Sequence, residues 1–384
     1  MLVITHADIV TPGRRLPDGA VVVESGRIAW VGPAAELGAP SGAQVVDASG
    51  AILAPGFIDL QVNGAFGHDF TADPGAIWPV AARLPCYGVT AFLPTIITSP
   101  LSTVARAQAV VAAPPVGFRG AAPLGLHVEG PFLNPTRKGA HNADYLLPPS
   151  VLAVRDWSPA SGIWLVTLAP ELPAALDVVR VLVRNGVLVS AGHSMATYAE
   201  AVAAFDAGVR YGTHLFNAMP SLGHREPGLP GALLTDNRVC VGFIPDGIHT
   251  HPAMIDLVWK LLGSDRLSMV TDCMAALGMG PGRHLLGDFE VVVDGTSARL
   301  PDGVLAGSIM SLDQGLRNLI AQTGCAVEAA LATVTTIPAR LLGLERERGC
   351  VEPGCIADMV LLSRDLEIQT TIAAGQVVFR KQST

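Results

Sequence analysis

Short apolar runs alternate with helix-like segments through the middle of the chain, between about residue 52 and residue 270. Eight of the runs have the length and composition of buried strands, and helix-like stretches such as 195–207 and 252–262 lie between them. The eight runs are 52–60, 89–93, 124–128, 163–168, 187–191, 211–215, 239–244 and 267–270. Strands that alternate with helices pair in parallel through right-handed crossovers, so the pattern predicts an α/β fold, a closed (β/α)8 TIM-like barrel.

An open, doubly wound sheet is the competing topology for the same alternation of strands and helices. Such a sheet binds its ligand at one switch point and often carries G-x-G-x-x-G after the first strand. That motif does not follow the first strand of this chain, and polar residues occur at the ends of many strands. The closed barrel is therefore favoured.

The two ends of the chain carry a different pattern, in which short strands follow one another without helical segments between them. Each end is too short for a hydrophobic core of its own. We therefore predict that residues 1–50 and 350–384 pair into one discontinuous β-sandwich domain, and that residues 51–349 form the barrel. Residues 287–303 have the pattern of a β-hairpin inserted after the last barrel strand.

Length and hydropathy agree with this division. The 384 residues suffice for a barrel of about 250 residues plus a smaller domain. Half of the residues are hydrophobic and the mean hydropathy is +0.43, but polar residues, Pro and Gly interrupt every apolar run before it reaches the length of about 20 that spans a bilayer. Because no basic segment and apolar run of the secretory type follow Met1, we expect no membrane partner and a cytoplasmic location.

The net charge of −8 and the scattered positions of Lys and Arg argue against nucleic acid or an anionic membrane as a partner. A small substrate that carries phosphate is compatible with this charge, because a few local groups suffice to bind it. The six cysteines contain no C-x-x-C pair, which predicts reduced thiols. They are Cys86, Cys240, Cys273, Cys325, Cys350 and Cys355.

The candidate chemistry lies at the predicted strand ends, which a barrel brings together at its C-terminal face. Glu129 ends an apolar run before a Gly-Pro turn, and His193 and His214 each follow a short apolar run and lie near a glycine. A single histidine is more often a packed or surface residue. Taken together, one carboxylate and two neutral imidazoles would leave an open position on Zn²⁺ or a similar divalent ion, as a catalytic site requires. His127 shares a strand face with Glu129 and is expected to pack beneath it.

Asp272 ends the last predicted barrel strand. An aspartate beside a metal can take the proton of the attacking water and pass it to the leaving group. The alternative is a local role, in which Asp272 caps a helix or closes a turn.

Several segments of the chain match a known family in the same order and across nearly its whole length. They are Pro55-Gly-Phe-Ile-Asp, His127-Val-Glu-Gly-Pro-Phe, Lys138-Gly-Ala-His-Asn, Gly192-His-Ser, Thr213-His-Leu-Phe-Asn-Ala-Met, Arg225-Glu-Pro-Gly, Asp246-Gly-Ile-His, Val270-Thr-Asp and Leu305-Ala-Gly-Ser. This ordered set resembles the N-acetylglucosamine-6-phosphate deacetylases of the amidohydrolase superfamily. The resemblance implies hydrolysis of N-acetylglucosamine 6-phosphate to glucosamine 6-phosphate and acetate.

The resemblance also implies roles for individual residues. The metal ligands would be Glu129, His193 and His214, Asp272 would be the acid and base, and His141 would stabilise the oxyanion. The substrate contacts implied are Ala140, His141, Asn217, Ala218, Arg225 and His249, with Ala306, Gly307 and Ser308 closing the pocket. In such enzymes the arginine reaches across a subunit interface, which implies a homodimer. Glu226, next to Arg225, is an alternative local partner for its charge.

The chain departs from many amidohydrolases at the end of the first barrel strand. It has Gln61 and Asn63 where those enzymes have two histidines that bind a second metal. Amides are poorer ligands for a transition metal, so we predict one divalent ion per subunit, with Zn²⁺ expected and Fe²⁺, Co²⁺ or Mn²⁺ as alternatives. Three other functions stay open: a deacetylase of N-acetylgalactosamine 6-phosphate, another amidohydrolase, and a non-catalytic barrel scaffold.

Overall fold

The computed structural model describes residues 1–38 and 42–382. Its strands, in chain order, are β1 (Leu2–Thr11), β2 (Arg14–Glu24), β3 (Arg27–Pro33), β4 (Gln44–Asp47), β5 (Ile52–Pro55), β6 (Phe57–Val62), β7 (Gly64–Ala65), β8 (His68–Asp69), β9 (Val89–Ile97), β10 (Ala122–Pro123), β11 (Leu126–Glu129), β12 (Ile163–Leu168), β13 (Leu188–Ala191), β14 (Tyr211–Gly212), β15 (Cys240–Phe243), β16 (Leu267–Met269), β17 (Gly282–Leu286), β18 (Phe289–Val293), β19 (Ala298–Arg299), β20 (Met359–Leu362), β21 (Ile368–Ala373) and β22 (Gln376–Arg380).

The helices lie mainly between the barrel strands and after the last of them. They are α1 (Ile77–Ala81), α2 (Leu101–Val111), α3 (Val151–Val154), α4 (Ala175–Arg184), α5 (Tyr198–Ala207), α6 (Gly228–Thr235), α7 (Pro252–Arg266), α8 (Leu312–Thr323), α9 (Val327–Ala332) and α10 (Thr336–Leu341). Among the described residues, no helix combines the length and the apolar character that crossing a bilayer requires.

The central sheet is the predicted barrel. Strands β6, β9, β11, β12, β13, β14, β15 and β16 pair in parallel in that order. After β16 the chain bonds back to the first strand, through a parallel bridge between Val62 and Cys273 and a 2.9 Å bond from the Asp272 N–H to the Gln61 carbonyl. These bonds close the sheet, so the prediction of a closed barrel is confirmed.

The chain ends form a second, separate sheet, as the pattern predicts. Its order is β22-β21-β20-β5-β1-β2-β3, and β4 pairs with β1. The strands are bonded as one continuous sheet, and apolar side chains from both chain ends share one hydrophobic cluster. That shared core holds the N-terminal and C-terminal segments together.

One predicted barrel strand belongs partly to this second sheet. The apolar run 52–60 is divided at Gly56: β5 pairs with β1 and β20, and β6 enters the barrel. A Cβ atom at Gly56 would lie 2.2 Å from Thr90 Oγ1, so only glycine fits at the crossing. The boundary predicted at residue 50 therefore lies before β5, which the structure places with the chain ends.

Helix α5, which follows the predicted ligand His193, shows how local sequence sets an element. The Thr197 N–H donates to Glu200 Oε2 at 2.9 Å, and Thr197 Oγ1 accepts from the Glu200 N–H at 3.3 Å. This capping box begins the helix at Tyr198, three residues later than the helical pattern suggests. Gly208, with a positive φ, ends it.

The predicted hairpin at 287–303 is a three-stranded sheet that starts earlier, at Gly282. Its strands β17, β18 and β19 pair antiparallel. Apolar residues such as Leu286 and Val291 pack against Ile97, Ala140 and others in one cluster. The small sheet therefore covers the carboxyl end of the barrel.

The prediction of six reduced cysteines is wrong for one pair. Cys350 and Cys355 are joined by a disulfide, with their Cα atoms 6.6 Å apart. A Pro-Gly turn at 353–354 brings the two cysteines together. Their spacing in the sequence differs from the C-x-x-C pattern, so the pair was not predicted. The four other cysteines are free.

Candidate metal centre and active site

Three of the predicted residues meet at the carboxyl end of the barrel. Glu129 is the last residue of β11, and His193 and His214 each lie two residues beyond the ends of β13 and β14. The two histidines have left-handed backbones, with φ of +48° and +29°. Non-glycine residues adopt such angles at an energetic cost and are concentrated at functional sites. The bend turns both imidazoles toward Glu129.

The ligand atoms of these residues converge on one point. Glu129 Oε1 lies 3.2 Å from His193 Nε2 and 3.2 Å from His214 Nε2, and the two nitrogens are 3.0 Å apart. All three side chains are buried. In the part of the chain that the structure describes, this group of ligand atoms is close enough to share one ion. A carboxylate oxygen and two imidazole nitrogens suit a divalent transition metal with positions left for water and substrate.

The neighbours of these ligands prepare them to bind a cation. His193 Nδ1 lies 2.9 Å from the Arg137 carbonyl and donates to it, which leaves the lone pair of Nε2 toward Glu129. Burial alone would raise the pKa of Glu129, but the neighbouring His193 and His214 hold it well below its usual value. Glu129 is therefore a carboxylate.

Asp272 lies beside this group with a left-handed backbone, at φ +49°. Its Oδ1 accepts hydrogen bonds from Gln61 Nε2 at 3.0 Å and from Asn63 Nδ2 at 2.7 Å. No described residue donates a hydrogen bond to Oδ2. Burial and the nearby charge of Glu129 raise the pKa of Asp272, which makes it a better proton acceptor than an ordinary aspartate.

Gln61 and Asn63 donate hydrogen bonds to the Asp272 carboxylate through their amide nitrogens. Gln61 Nε2 lies 3.1 Å from Glu129 Oε1 and so bridges the two acidic residues. The amide oxygens of both residues are buried without a hydrogen-bond partner. The positions that would hold a second ion thus present N–H donors to Asp272.

His141 presents a hydrogen-bond donor to the same space. The Thr98 N–H donates to His141 Nδ1 at 3.2 Å, so the proton of the neutral ring is on Nε2. Nε2 lies 3.9 Å from Glu129 Oε2. Burial and the nearby His193 lower the pKa of His141 to about 3. The ring is a neutral donor, able to bind a carbonyl oxygen.

A cavity of about 650 Å³ opens above these side chains. Most of the residues predicted from the sequence line it. They are Asn63, Glu129, Ala140, His141, His193, His214, Asn217, Ala218, His249, Asp272 and Gly307. His249 is held by Asp246, whose Oδ2 lies 2.6 Å from His249 Nδ1. The barrel therefore gathers residues from Asn63 to Gly307 around one space.

Three predicted contacts have other positions. Ala306 is fully buried behind the cavity wall, and the Ser308 hydroxyl donates to the Thr271 carbonyl at 2.6 Å. Arg225 is exposed and lies outside the lining. Glu226, the proposed local partner of Arg225, accepts instead from the N–H groups of Tyr198 and Gly228, at 2.9 and 3.0 Å.

Further residues of the site were not singled out from the sequence. Arg137 and Lys138 line the cavity beside His141, and Arg299 in β19 and Asp302 in the turn after it line the cavity from another side. Thr98 sets the tautomer of His141. Arg137 and Lys138 lie just before His141 in the sequence, and Arg299 and Asp302 lie within the predicted hairpin. Only the folded structure shows that these four residues reach the cavity.

Comparison with known proteins agrees with this geometry. Residues 52–378 match the Amidohydrolase family, and residues 19–39 match the Imidazolonepropionase-like composite domain of bacteria. N-acetylglucosamine-6-phosphate deacetylase of Rattus norvegicus is 41% identical over 88% of this chain and 85% of its own length. The enzyme of the same name from Bacillus subtilis is 34% identical over 98% of this chain and 97% of its length. N-acetylgalactosamine-6-phosphate deacetylase of Escherichia coli O157:H7 is 36% identical over 88% and 90%.

Solved structures give the same result. N-acetylglucosamine-6-phosphate deacetylase of Pasteurella multocida superposes with a TM-score of 0.92 at 30% identity, over 99% of this chain and 100% of that one. A variant of the Mycobacterium smegmatis enzyme, in complex with N-acetyl-D-glucosamine-6-phosphate, superposes with a TM-score of 0.88 at 33% identity, over 98% and 99%. The chain therefore belongs to the amidohydrolase family, among its N-acetylglucosamine-6-phosphate deacetylases.

Proposed function

We propose that the protein hydrolyses the acetamide of N-acetyl-D-glucosamine 6-phosphate and releases D-glucosamine 6-phosphate and acetate. The observation that carries the proposal is the meeting of Glu129, His193 and His214 with Asp272 and His141 in one cavity. The names of the relatives at 34 to 41% identity support the same reaction. The reaction fits amino-sugar catabolism or cell-wall recycling, and the cytoplasm stays our prediction for where it takes place.

Glu129, His193 and His214 would hold one divalent ion, which we propose to be Zn²⁺. Two imidazole nitrogens and one carboxylate oxygen form a donor set that Zn²⁺ commonly accepts, while Fe²⁺, Co²⁺ and Mn²⁺ accept it too. When bound, the ion would supply Lewis acidity to water and to the acetyl carbonyl. All three side chains are buried, and their ligand atoms converge on one point.

The protein groups divide the remaining work of the reaction. Asp272 accepts the proton of the attacking water at Oδ2 and delivers it to the amine nitrogen as the C–N bond breaks. Gln61 and Asn63 hold the other oxygen of Asp272 through their amide nitrogens, which fixes the direction of proton transfer. His141 donates from Nε2 to the acetyl oxygen as negative charge develops on it.

Acetate release from purified protein tests the proposed reaction. We expect N-acetylglucosamine 6-phosphate to be deacetylated, with a kcat/KM above that of the galactosamine epimer. The relative from Escherichia coli named for the galactosamine compound makes that epimer the second candidate substrate. A preference for the galactosamine compound would replace the first proposal with the second, and no acetate from either compound would contradict both.

Removal of the 6-phosphate from the substrate is expected to lower kcat/KM by at least about 100-fold, because hydrogen bonds to a charged group contribute roughly 1.5–3 kcal/mol each. His249 and the 217–218 turn line the cavity and would meet the phosphate. Parallel kinetics with N-acetylglucosamine and its 6-phosphate measure the difference. Equal kcat/KM for the two sugars would remove these residues from phosphate binding.

We propose that Arg225 completes the phosphate site of a second subunit, because its side chain is exposed and outside the cavity of its own chain. The protein would then be a homodimer. The Arg225→Ala variant is expected to lose about 10 to 100-fold in kcat/KM, since a charged contact to the phosphate is lost.

A mixed dimer of Arg225→Ala and Asp272→Asn chains, isolated with two different affinity tags, separates the two arrangements. If Arg225 acts across the interface, one site of the mixed dimer is complete, and about half of the wild-type activity returns. If Arg225 acts within its own chain, activity cannot exceed half of that of the Arg225→Ala parent.

A further inference from the structure

A row of polar side chains crosses the interior of the barrel just below the predicted metal ligands. It consists of Thr95, His127, Thr167, Ser190 and Thr213, which come from or directly follow consecutive strands, and all five are fully buried. We name this set the polar layer. None of its members lines the cavity, so none can contact the substrate directly.

The polar layer is one connected hydrogen-bond network. His127 Nδ1 lies 3.2 Å from Thr95 Oγ1, and His127 Nε2 lies 2.8 Å from Thr167 Oγ1. The Thr167 hydroxyl is 2.7 Å from Thr213 Oγ1, which is 2.5 Å from Ser190 Oγ. Thr167 is therefore the link between the imidazole and the two hydroxyls beyond it.

Three members of the network lie close in the chain to a metal ligand. His127 precedes Glu129 by two residues, Ser190 precedes His193 by three, and Thr213 immediately precedes His214. Thr167 stands opposite Glu129 in the pairing of β11 with β12.

The packing above the layer leaves little room for the ligand strands to shift. A Cβ atom at Gly192, next to His193, would lie 2.9 Å from Thr213 Cβ and 3.0 Å from Thr167 Cγ2. The strands that carry the three ligands are thus bonded and packed together at this depth.

A barrel interior does not need polar side chains for stability. Branched apolar residues usually fill it, and burying hydroxyls and an imidazole has a desolvation cost that only a complete set of hydrogen bonds offsets. A connected polar network in this place fixes relative positions more strictly than apolar packing does, because hydrogen bonds are directional. Because the polar layer lies directly beneath Glu129, His193 and His214, these three side chains are the ones whose positions it would fix.

We propose that the polar layer positions Glu129, His193 and His214, and that Thr167, at its centre, thereby sets the affinity of this group for a divalent ion. The inference rests on the same metal site as the proposed function. It does not depend on which acylated sugar is the substrate.

The Thr167→Val variant tests the inference, since it keeps the shape of the side chain and removes the hydroxyl. We expect its dissociation constant for Zn²⁺ to rise about 10 to 100-fold, the usual effect of removing a group that orients a ligand. Competition with a chromophoric chelator, on metal-stripped protein, measures the constant. Thr167→Ser restores the hydroxyl and is expected to bind Zn²⁺ within about threefold of wild type.

Thr371→Val is the matched control, because Thr371 is also fully buried and donates one hydrogen bond, 2.7 Å long, to the Pro85 carbonyl. It lies in β21, outside the barrel. We expect Thr371→Val to lower Tm by an amount similar to Thr167→Val and to leave Zn²⁺ affinity unchanged.

Three outcomes would overturn the inference. The first is wild-type Zn²⁺ affinity in folded Thr167→Val. If that variant does not fold, Ser190→Ala, which removes a terminal hydroxyl of the layer, is tested instead. The second outcome is then an unchanged Zn²⁺ affinity in Ser190→Ala. The third is a wild-type protein without tight Zn²⁺ binding, which would overturn the proposed function too. A wild type that binds Zn²⁺ but deacetylates no sugar phosphate would contradict the proposed function alone, and raised dissociation constants in the variants would still support the inference.

Discussion

The Asp272→Asn variant is expected to lose at least about 10³-fold in kcat while it still binds substrate, since general acid and base catalysis contributes typically 10² to 10⁴-fold. An asparagine side chain keeps the shape of the aspartate but cannot accept a proton. The bonds that Gln61 and Asn63 donate to Oδ1 can still form to the asparagine oxygen. The substrate should therefore bind to an almost unchanged cavity in which proton transfer has stopped.

Steady-state kinetics with calorimetric binding of N-acetylglucosamine 6-phosphate would separate the two effects of this substitution. Asp256→Asn is a suitable control, because Asp256 pairs with Lys260 on the exposed side of α7. Its kcat should equal that of wild type. Turnover near the wild-type rate in Asp272→Asn would exclude Asp272 as the proton carrier.

Metal removal is the second change with a very large expected effect. Chelation should reduce activity below about 0.1% of the starting value, because Lewis-acid stabilisation of developing charge contributes several kcal/mol, and 1.4 kcal/mol corresponds to roughly tenfold in rate. Activity should return in proportion to added Zn²⁺ and reach its maximum at one ion per chain. The reason for this stoichiometry is the pair Gln61 and Asn63, whose amide nitrogens face Asp272 and Glu129.

Elemental analysis of the reactivated enzyme would count the ions, and repeating the titration with Fe²⁺, Co²⁺ and Mn²⁺ would rank the metals. Two ions in each fully active site would contradict the single-metal arrangement. Full activity in chelated, metal-free protein would contradict metal catalysis altogether.

The barrel could be predicted because each of its strands is a separate apolar run with a helix-like or loop segment after it. The run 52–60 could not be divided correctly from its apolar pattern, since both halves are equally buried. Gly56 divides them for a long-range reason, the contact with Thr90 across the crossing. A sequence pattern shows the hydrophobic periodicity and the composition of a segment. Contacts such as that between Gly56 and Thr90 depend on the completed fold.

In the candidate site too, some features could be predicted from the sequence and others depend on contacts between distant residues. Glu129, His193, His214 and Asp272 could be selected because they stand at strand ends, which a barrel gathers at one face. The tautomer of His141 could not, because the backbone of Thr98, far away in sequence, decides it.

The remaining differences concern single side chains. The hydroxyl of Ser308 faces the Thr271 carbonyl, although its neighbour Gly307 lines the cavity. Arg299 reaches the cavity only because the small sheet covers the barrel end. Neither orientation follows from spacing along the chain.

The order of translation separates the synthesis of strand β5 from that of its partner strand β20. Strand β5 is translated before the barrel, but its antiparallel neighbour β20 is translated only after the whole barrel. Until then one edge of the nascent N-terminal sheet has unpaired N–H and C=O groups, and such edges are prone to bind other strands. Pairing with β20 removes this exposed edge, so the second sheet can be completed only after the barrel has been translated.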